Sequence, residues 1–249
     1  MSDVAVQAPE APKSDNSISR IFGVLFSPKA TFESIARRPT WLAPVVLLCL
    51  VFFGVVGIFG HRGGWPSYFQ KQLTSNARFQ QASPEQQQQA YEMQLKYGPP
   101  VAYAEAPIVP PLIVVIVAAV FLGVFNLLAG AKLGFKTSMA VVSYAWMPNA
   151  VSGIFGILIV AIKDPTTIDL QNIVASNVGA YLPSGSAKWL VSLLGSIDIF
   201  SIWTMILMAI GFSVAAGQKK LTFGKAFGWI IAVWLLFVLV KVGLVAALT

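Results

Sequence analysis

Charge is what this 249-residue chain has least of. Asp, Glu, Lys and Arg together make 11% of it, where a soluble domain carries about 25%, and hydrophobic residues make 56%. So few charges cannot clothe the surface of a soluble globule of this length, which sets aside a soluble enzyme and a nucleic-acid module. Cysteine occurs once, at Cys49, and histidine once, at His61. A single cysteine forms no intramolecular disulfide and no multi-cysteine metal site, and a single histidine supplies no HExxH zinc motif; no catalytic triad is expected around it. There is no Walker loop, no dinucleotide glycine fingerprint and no run of carboxylates at ligand spacing. The first forty residues also lack a basic segment followed by an apolar one, so the N-terminus is expected to be retained. No cofactor, no metal and no enzymatic activity are expected.

What the chain has instead is length of apolar run. Hydrocarbon satisfies no backbone donor or acceptor, so a membrane crossing takes about 20 mostly apolar residues wound as a helix. Five such runs are present, at 41–60, 112–130, 139–162, 197–216 and 227–248. They predict an all-α membrane protein, a bundle of five transmembrane helices occupying 18–249 behind a disordered tail at 1–17.

Ahead of the first run, Ile18, Ile21, Phe22, Leu25 and Phe26 recur at helical spacing. Ser27 and Pro28 then restart a helix whose apolar face continues through Phe32 and Ile35. The pair reads as amphipathic helices on the membrane surface, with Arg20, Lys29, Arg37 and Arg38 turned to anionic lipid headgroups. Between the first two runs, Ser83-Pro84-Glu85 starts a solvated helix and Gly98-Pro99-Pro100 is expected to stop it. The connection at 163–188 is turn-rich, with one short helical stretch.

The net charge of +7 has an orientation in it. If the N-terminus is cytoplasmic, that side holds Lys13, Arg20, Lys29, Arg37, Arg38, Lys132, Lys136, Lys219, Lys220 and Lys225, while the longer loops opposite balance Arg62, Lys71, Arg78, Lys96, Lys163 and Lys188 with Glu85, Glu92, Glu105, Asp164 and Asp169. The bias predicts a cytoplasmic-membrane protein with its N-terminus inside and its C-terminus outside. It also accounts for the basic excess without a nucleic-acid partner.

Ionisable residues inside a span are costly and therefore candidate functional positions. Asp198 and Lys241 qualify, and the orientation above puts them at similar depth, where they pair or share a polar cavity. Equally open are an N-cap role for Asp198 beside Ser196 and a Lys241 head that reaches the interface. In the third run Pro148 removes a helix hydrogen bond and predicts a kink, and Asn149 beside it with Asn126 on the second run would form a polar pocket. Small residues at Ala209, Ser213 and Gly217, and at Ser152 and Gly156, allow close helix approach.

Taken in order, several short strings resemble the Yip1 domain family in its bacterial branch. They are Phe26-Ser27-Pro28 with Phe32, the Arg38-Pro39 step, Tyr144-Ala145-Trp146-Met147-Pro148, Asp198-Ile199-Phe200-Ser201-Ile202-Trp203, Ile210-Gly211, and the basic turn through Lys219, Lys220 and Lys225-Ala226. The likeness runs over residues 18–248. It implies a five-span helical fold with a cytosolic N-terminus. Eukaryotic relatives are associated with membrane traffic and Rab-type GTPases; no GTPase-binding surface is visible here, and the role is not carried across. Two functions remain in view: a non-enzymatic scaffold for membrane-protein partners or a homo-oligomer, and a small transporter, channel or lipid-moving protein using Asp198, Lys241, Asn126, Asn149 and Pro148.

Overall fold

The structure is a computed structural model that describes residues 16–183 and 185–248. Of the tail expected at 1–17, residues 1–15 lie outside them, while Asn16 and Ser17 form the cap and first residue of the first helix. The described residues are mostly helical, and the only β-type contact among them is a single antiparallel bridge between Asn177 and Asp198.

Two short helices lead in, α1 (Ser17–Phe26) and α2 (Pro28–Arg37), followed by α3 (Leu42–His61). Asn16 caps α1 by accepting from the Ser19 N–H at 2.7 Å. Ser27 precedes α2 as the sequence suggests, but its carbonyl is what is engaged, accepting from the Thr31 N–H and hydroxyl. α2 docks on the bundle, burying Thr31, Phe32 and Ile35. In α1 the face toward the bundle carries Arg20 and Val24, while Ile18, Phe22 and Phe26 stand 65%, 61% and 82% exposed. Both helices are amphipathic: α2 packs its apolar face on the bundle, and the outer ridge of α1 is exposed.

Arg20 is buried, with Nε donating to Ser34 Oγ at 3.0 Å and Nη1 donating to the Arg38 carbonyl at 2.9 Å and to Thr40 Oγ1 at 3.1 Å. The five-donor fork of a guanidinium ties the end of α2 to α1, so Arg20 does not face headgroups. Lys29, Arg37 and Arg38 are exposed.

α4 (Trp65–Thr74) and α5 (Ala77–Gln80) lead to α6 (Pro84–Ala129), a single helix of 46 residues. Ser83 and Gln86 form a reciprocal capping box at its start, as the Ser-Pro-Glu string suggests. The stop expected at Gly98-Pro99-Pro100 does not occur. The missing side chain of Gly98 is a notch into which the Phe69 ring of α4 fits, and a Cβ there would strike that ring. α6 continues through five internal prolines, Pro99, Pro100, Pro107, Pro110 and Pro111, with α4 packed on it at Gly98 and α3 packed along it. At 1.5 Å per residue α6 is about 70 Å long, against about 30 Å of hydrocarbon, so its first part stands clear of the membrane.

α6 ends on Gly130, whose φ of 59° is left-handed and suits a residue without a Cβ. The third crossing is split into α7 (Phe135–Ala145) and α8 (Met147–Ile162) at Trp146, and Pro148 opens the second piece. The expected kink is thus a break, with the Trp146 N–H turned to the Val142 and Tyr144 carbonyls. Two 3-10 turns, Pro165–Thr167 and Val178–Tyr181, take the place of the single helical stretch expected in the next connection. Then come α9 (Lys188–Leu194), α10 (Ile199–Ala216) and α11 (Phe223–Leu248).

Among the described residues, five stretches are long and apolar enough to cross a membrane: α3, α6, α7 with α8, α10, and α11. The chain is an all-α membrane bundle. Its α1–α2 half is packed solid by Phe32, Phe121, Phe125, Tyr144 and Phe212, with Phe125 and Phe212 ring centroids 4.7 Å apart. A second apolar cluster, Val55, Val56, Phe59, Trp65, Phe69, Val160 and Ile168, sits at the opposite end.

Candidate functional site

Against the second cluster lies an open cavity of about 770 Å³. Its walls come from α3 (Phe52, Val55, Val56), α4 (Trp65, Tyr68, Phe69), α6 (Gly98, Val101, Ala102, Glu105), α8 (Asn149, Ser152, Gly153, Gly156), the 170–177 segment, and the start of α10 (Asp198, Ser201). Small residues on α8 leave the space. Gly156 lies in ordinary contact with Val55 and Ile173, and Gly153 is so close to Val51 that any side chain there would displace it.

The polar end is built around Asp198. Its Oδ1 accepts from the Phe200 and Ser201 N–H groups at 2.9 and 3.0 Å, which makes it the N-cap of α10. Oδ2 accepts from the Ser176 hydroxyl, and the bridge around it pairs Val178 N–H with the Ile197 carbonyl and Ile199 N–H with the Ser176 carbonyl. Asp198 thus both caps a helix and lines the cavity. Asn149 reaches the same cavity from α8, and its Nδ2 donates to Thr204 Oγ1 on α10 at 3.0 Å. Asn177, buried nearby, accepts from the Ala180 N–H at 3.0 Å and donates to Asn172 Oδ1 at 2.7 Å.

Lys241 does not pair with Asp198. Its Nζ donates to Ser196 Oγ at 2.7 Å, two residues before Asp198, and with Lys188 it lines an adjoining cavity of about 490 Å³ that shares Gln171, Asn172 and Gly195 with the larger one. Asn126 is not part of either cavity. It lies at the α1–α2 end, where its amide donates to the Leu133 carbonyl at 3.0 Å and accepts from the Leu133 N–H at 2.7 Å, closing the loop after Gly130. Pro148 is buried and absent from the cavity wall, although the residue after it is present there.

The aromatic wall was not anticipated from sequence. Trp65 stacks on Phe69 at 5.7 Å and meets Phe59 edge-on at 5.2 Å, while Tyr68 lies 5.4 Å from Phe69. The available signal was the spacing of Trp65, Tyr68 and Phe69, which falls on one face of a helical turn. Burial pushes the Tyr68 phenol above its ordinary range, and the carboxylates of Asp169 and Glu105 act in the same direction. Nearby cations are engaged elsewhere: Arg62 Nη1 donates to the Val160 and Lys163 carbonyls at 2.8 and 2.9 Å, at the end of α8, and Lys71 Nζ donates to the Thr166 carbonyl. Among the described residues, Glu105 and Asp198 are the only charged side chains lining the large cavity. Its chemistry is therefore that of an aromatic and aliphatic cleft with a neutral-to-acidic polar end.

A five-span helical bundle with a split third crossing and an acidic N-cap at the start of its fourth defines a polytopic membrane protein rather than a soluble one. The Yip1 domain matches residues 22–244, and the chain belongs to the Yip1 domain family. It is also 29% identical over 230 residues to Membrane protein YknW of Bacillus subtilis (strain 168), an alignment covering 92% of this chain and 90% of that protein. No solved structure matches the chain.

Proposed function

We propose that this Yip1-family chain is a non-enzymatic membrane protein that holds partner proteins, with the arm formed by α4, α5 and the first part of α6 as its contact surface. The observation that carries this reading is a ridge on α6: Met93, Tyr97 and Val101 are 55%, 55% and 53% exposed. Residues four apart share one helix face, and counting about 20 residues back from the end of α6 places all three beyond the hydrocarbon. Contiguous large apolar side chains in that position favour a protein partner. The solid aromatic half at α1–α2 supports a fixed holder over an open conduit.

The reading places the chain in the cytoplasmic membrane, N-terminus inside and C-terminus outside, on the basic residues of the α1–α2 face. Lys29, Arg37 and Arg38 contact anionic headgroups there, and Ile18, Phe22 and Phe26 enter the bilayer edge beside them. A second reading, as a transporter, channel or lipid-moving protein, draws on the cavity at Asn149 and Asp198 and requires the packed half to open.

Extraction of the full chain from its native membrane into lipid discs, followed by mass spectrometry, tests the holder reading. A stoichiometric protein partner retained by the wild type and lost in the M93Q/Y97Q/V101Q variant is expected. No such partner, together with solute flux or lipid scrambling above protein-free vesicles after reconstitution, would replace it with the second reading.

A further inference from the structure

The large cavity has a graded wall. Phe52 and Val55 of α3 and Asn149 and Ser152 of α8 lie within crossings, whereas Tyr68, Phe69 and Gly98 belong to the arm beyond them. An occupant that fills it meets apolar side chains, Phe52, Val55 and Val56 among them, and polar ones, among them Asn149, Ser152 and Asp198. The volume of about 770 Å³ falls in the range of small-molecule sites, roughly 300–1,000 Å³.

The sign of the polar end follows from the side chains. Glu105 and Asp198 line the cavity, no described Lys or Arg does, and Asp169 stands close enough to act on Tyr68. Asp198 is held in place by two N–H donors and a hydroxyl. Trp65, Tyr68 and Phe69 add aromatic surface, which attracts organic cations. An anionic head would meet two carboxylates with no compensating cation in the wall.

We propose that this cavity binds an amphiphile whose polar head is an ammonium group, with the apolar body against Phe52, Val55 and Val56 and the head toward Glu105, Asp198 and the α4 aromatics. The assignment does not depend on which partner the arm holds. The shared chemistry, an ammonium on an apolar chain, is offered by two sources: an aminolipid of the surrounding bilayer, or a free alkylamine or alkylammonium.

The test uses the full chain in phosphatidylcholine discs and two photoreactive probes of equal chain length, an alkyltrimethylammonium and an alkyl sulfate, with the labelled peptides mapped by mass spectrometry. The expected result is labelling of cavity peptides by the ammonium probe about tenfold above the sulfate, the discrimination of roughly one cation–π contact with favourable charge. Unlabelled dodecyltrimethylammonium should suppress it. In E105Q/D198N the preference should fall to within about threefold; Asn keeps the N-cap, so α10 is retained. If that variant does not fold, Glu105→Gln alone, at an exposed position, and Ser152→Phe, which fills the cavity, take its place and should each reduce labelling.

Equal labelling by both probes, a preference unchanged in the variants, or labelling that dodecyltrimethylammonium does not suppress would overturn the proposal. Suppression by phosphatidylethanolamine added to the disc would identify a lipid source; suppression by soluble dodecylamine without it would identify a free amine. Loss of the partner in M93Q/Y97Q, which leaves the cavity-lining Val101 in place, with probe labelling intact would separate this site from the holder reading.

Discussion

Two arginines of the N-terminal region meet through the main chain: Arg20 Nη1 donates to the carbonyl of Arg38 at 2.9 Å. The bond closes the α1–α2 pair on itself before the chain enters α3. One arginine is buried and the other exposed, so two residues of the same type on the same face have unrelated roles.

Replacing Arg20 should therefore act on stability rather than on lipid binding. Arg20→Met leaves the Arg38 carbonyl and the Ser34 and Thr40 hydroxyls without their donor, and a loss of about 2–4 kcal/mol is expected from several hydrogen bonds to a charged group. Arg20→Lys should recover only part of it, since an ammonium does not reproduce the fork. Thermal unfolding of the purified variants measures this, and a stability equal to wild type with weakened binding to anionic vesicles would contradict it.

Asp198 and Lys241 should prove energetically separate. Asp198→Ala is expected to cost about 1 kcal/mol through loss of the α10 cap, while Asp198→Asn should be close to neutral. Lys241→Asp and Asp198→Lys should each impair folding, and combining them should recover nothing, because Lys241 is bonded to Ser196. Recovery in the double variant would restore the pairing idea.

Asn149 and Thr204 should couple across α8 and α10. A double-mutant cycle with Asn149→Leu and Thr204→Val is expected to give an interaction of about 0.6–1.7 kcal/mol, the range of hydrogen bonds between membrane helices. Additive single effects would indicate that another polar group supplies the contact.

Gly60→Ala should destabilise the chain even though alanine is the better helix former by about 1 kcal/mol. A Cβ there would run into the Tyr103 hydroxyl and the Trp65 indole, which fix α4 against α3 and α6. Faster hydrogen exchange confined to α4 and the neighbouring part of α6 is the expected signature; slower exchange there would mean the clash is relieved at no cost.

Acidification should loosen the turn after α8. The N–H and hydroxyl of Thr166 hold the Asp164 carboxyl below its ordinary range, helped by Arg62 and Lys71. A depressed value in the folded state means the contribution is complete above the ordinary aspartate range and is lost as the pH falls through that range and below it. Exchange at the Thr166 amide should rise over that interval in the wild type and show no such step in Asp164→Asn.

Part of this architecture is written in local pattern. The crossings at 41–60 and 197–216 match α3 and α10 within two residues at either end, and the Ser83 cap and the break beside Pro148 stand where the residues suggest. Gly98-Pro99-Pro100 misleads because a stop signal weighs only the bonds lost within the helix, whereas the Phe69 ring packed on Gly98 comes from α4, far along the chain. Arg20 misleads for a related reason: a charged residue among apolar ones reads as solvent-facing until its carbonyl and hydroxyl partners, 14 to 20 residues away, are brought to it.

The sequence by itself determined that this is a five-crossing helical membrane protein of the Yip1 kind, because hydrocarbon leaves the backbone no partner but its own next turn, and that demand is satisfied run by run. Only the tertiary structure decided which polar residues meet. Asn149 and Asp198, 49 positions apart, share a cavity because α8 packs on α10. Lys241, expected beside Asp198, goes to Ser196, and Asn126, expected beside Asn149, closes a loop at the other end. Such meetings depend on crossing geometry and on small residues that let helices approach, and neither is a property of any single run.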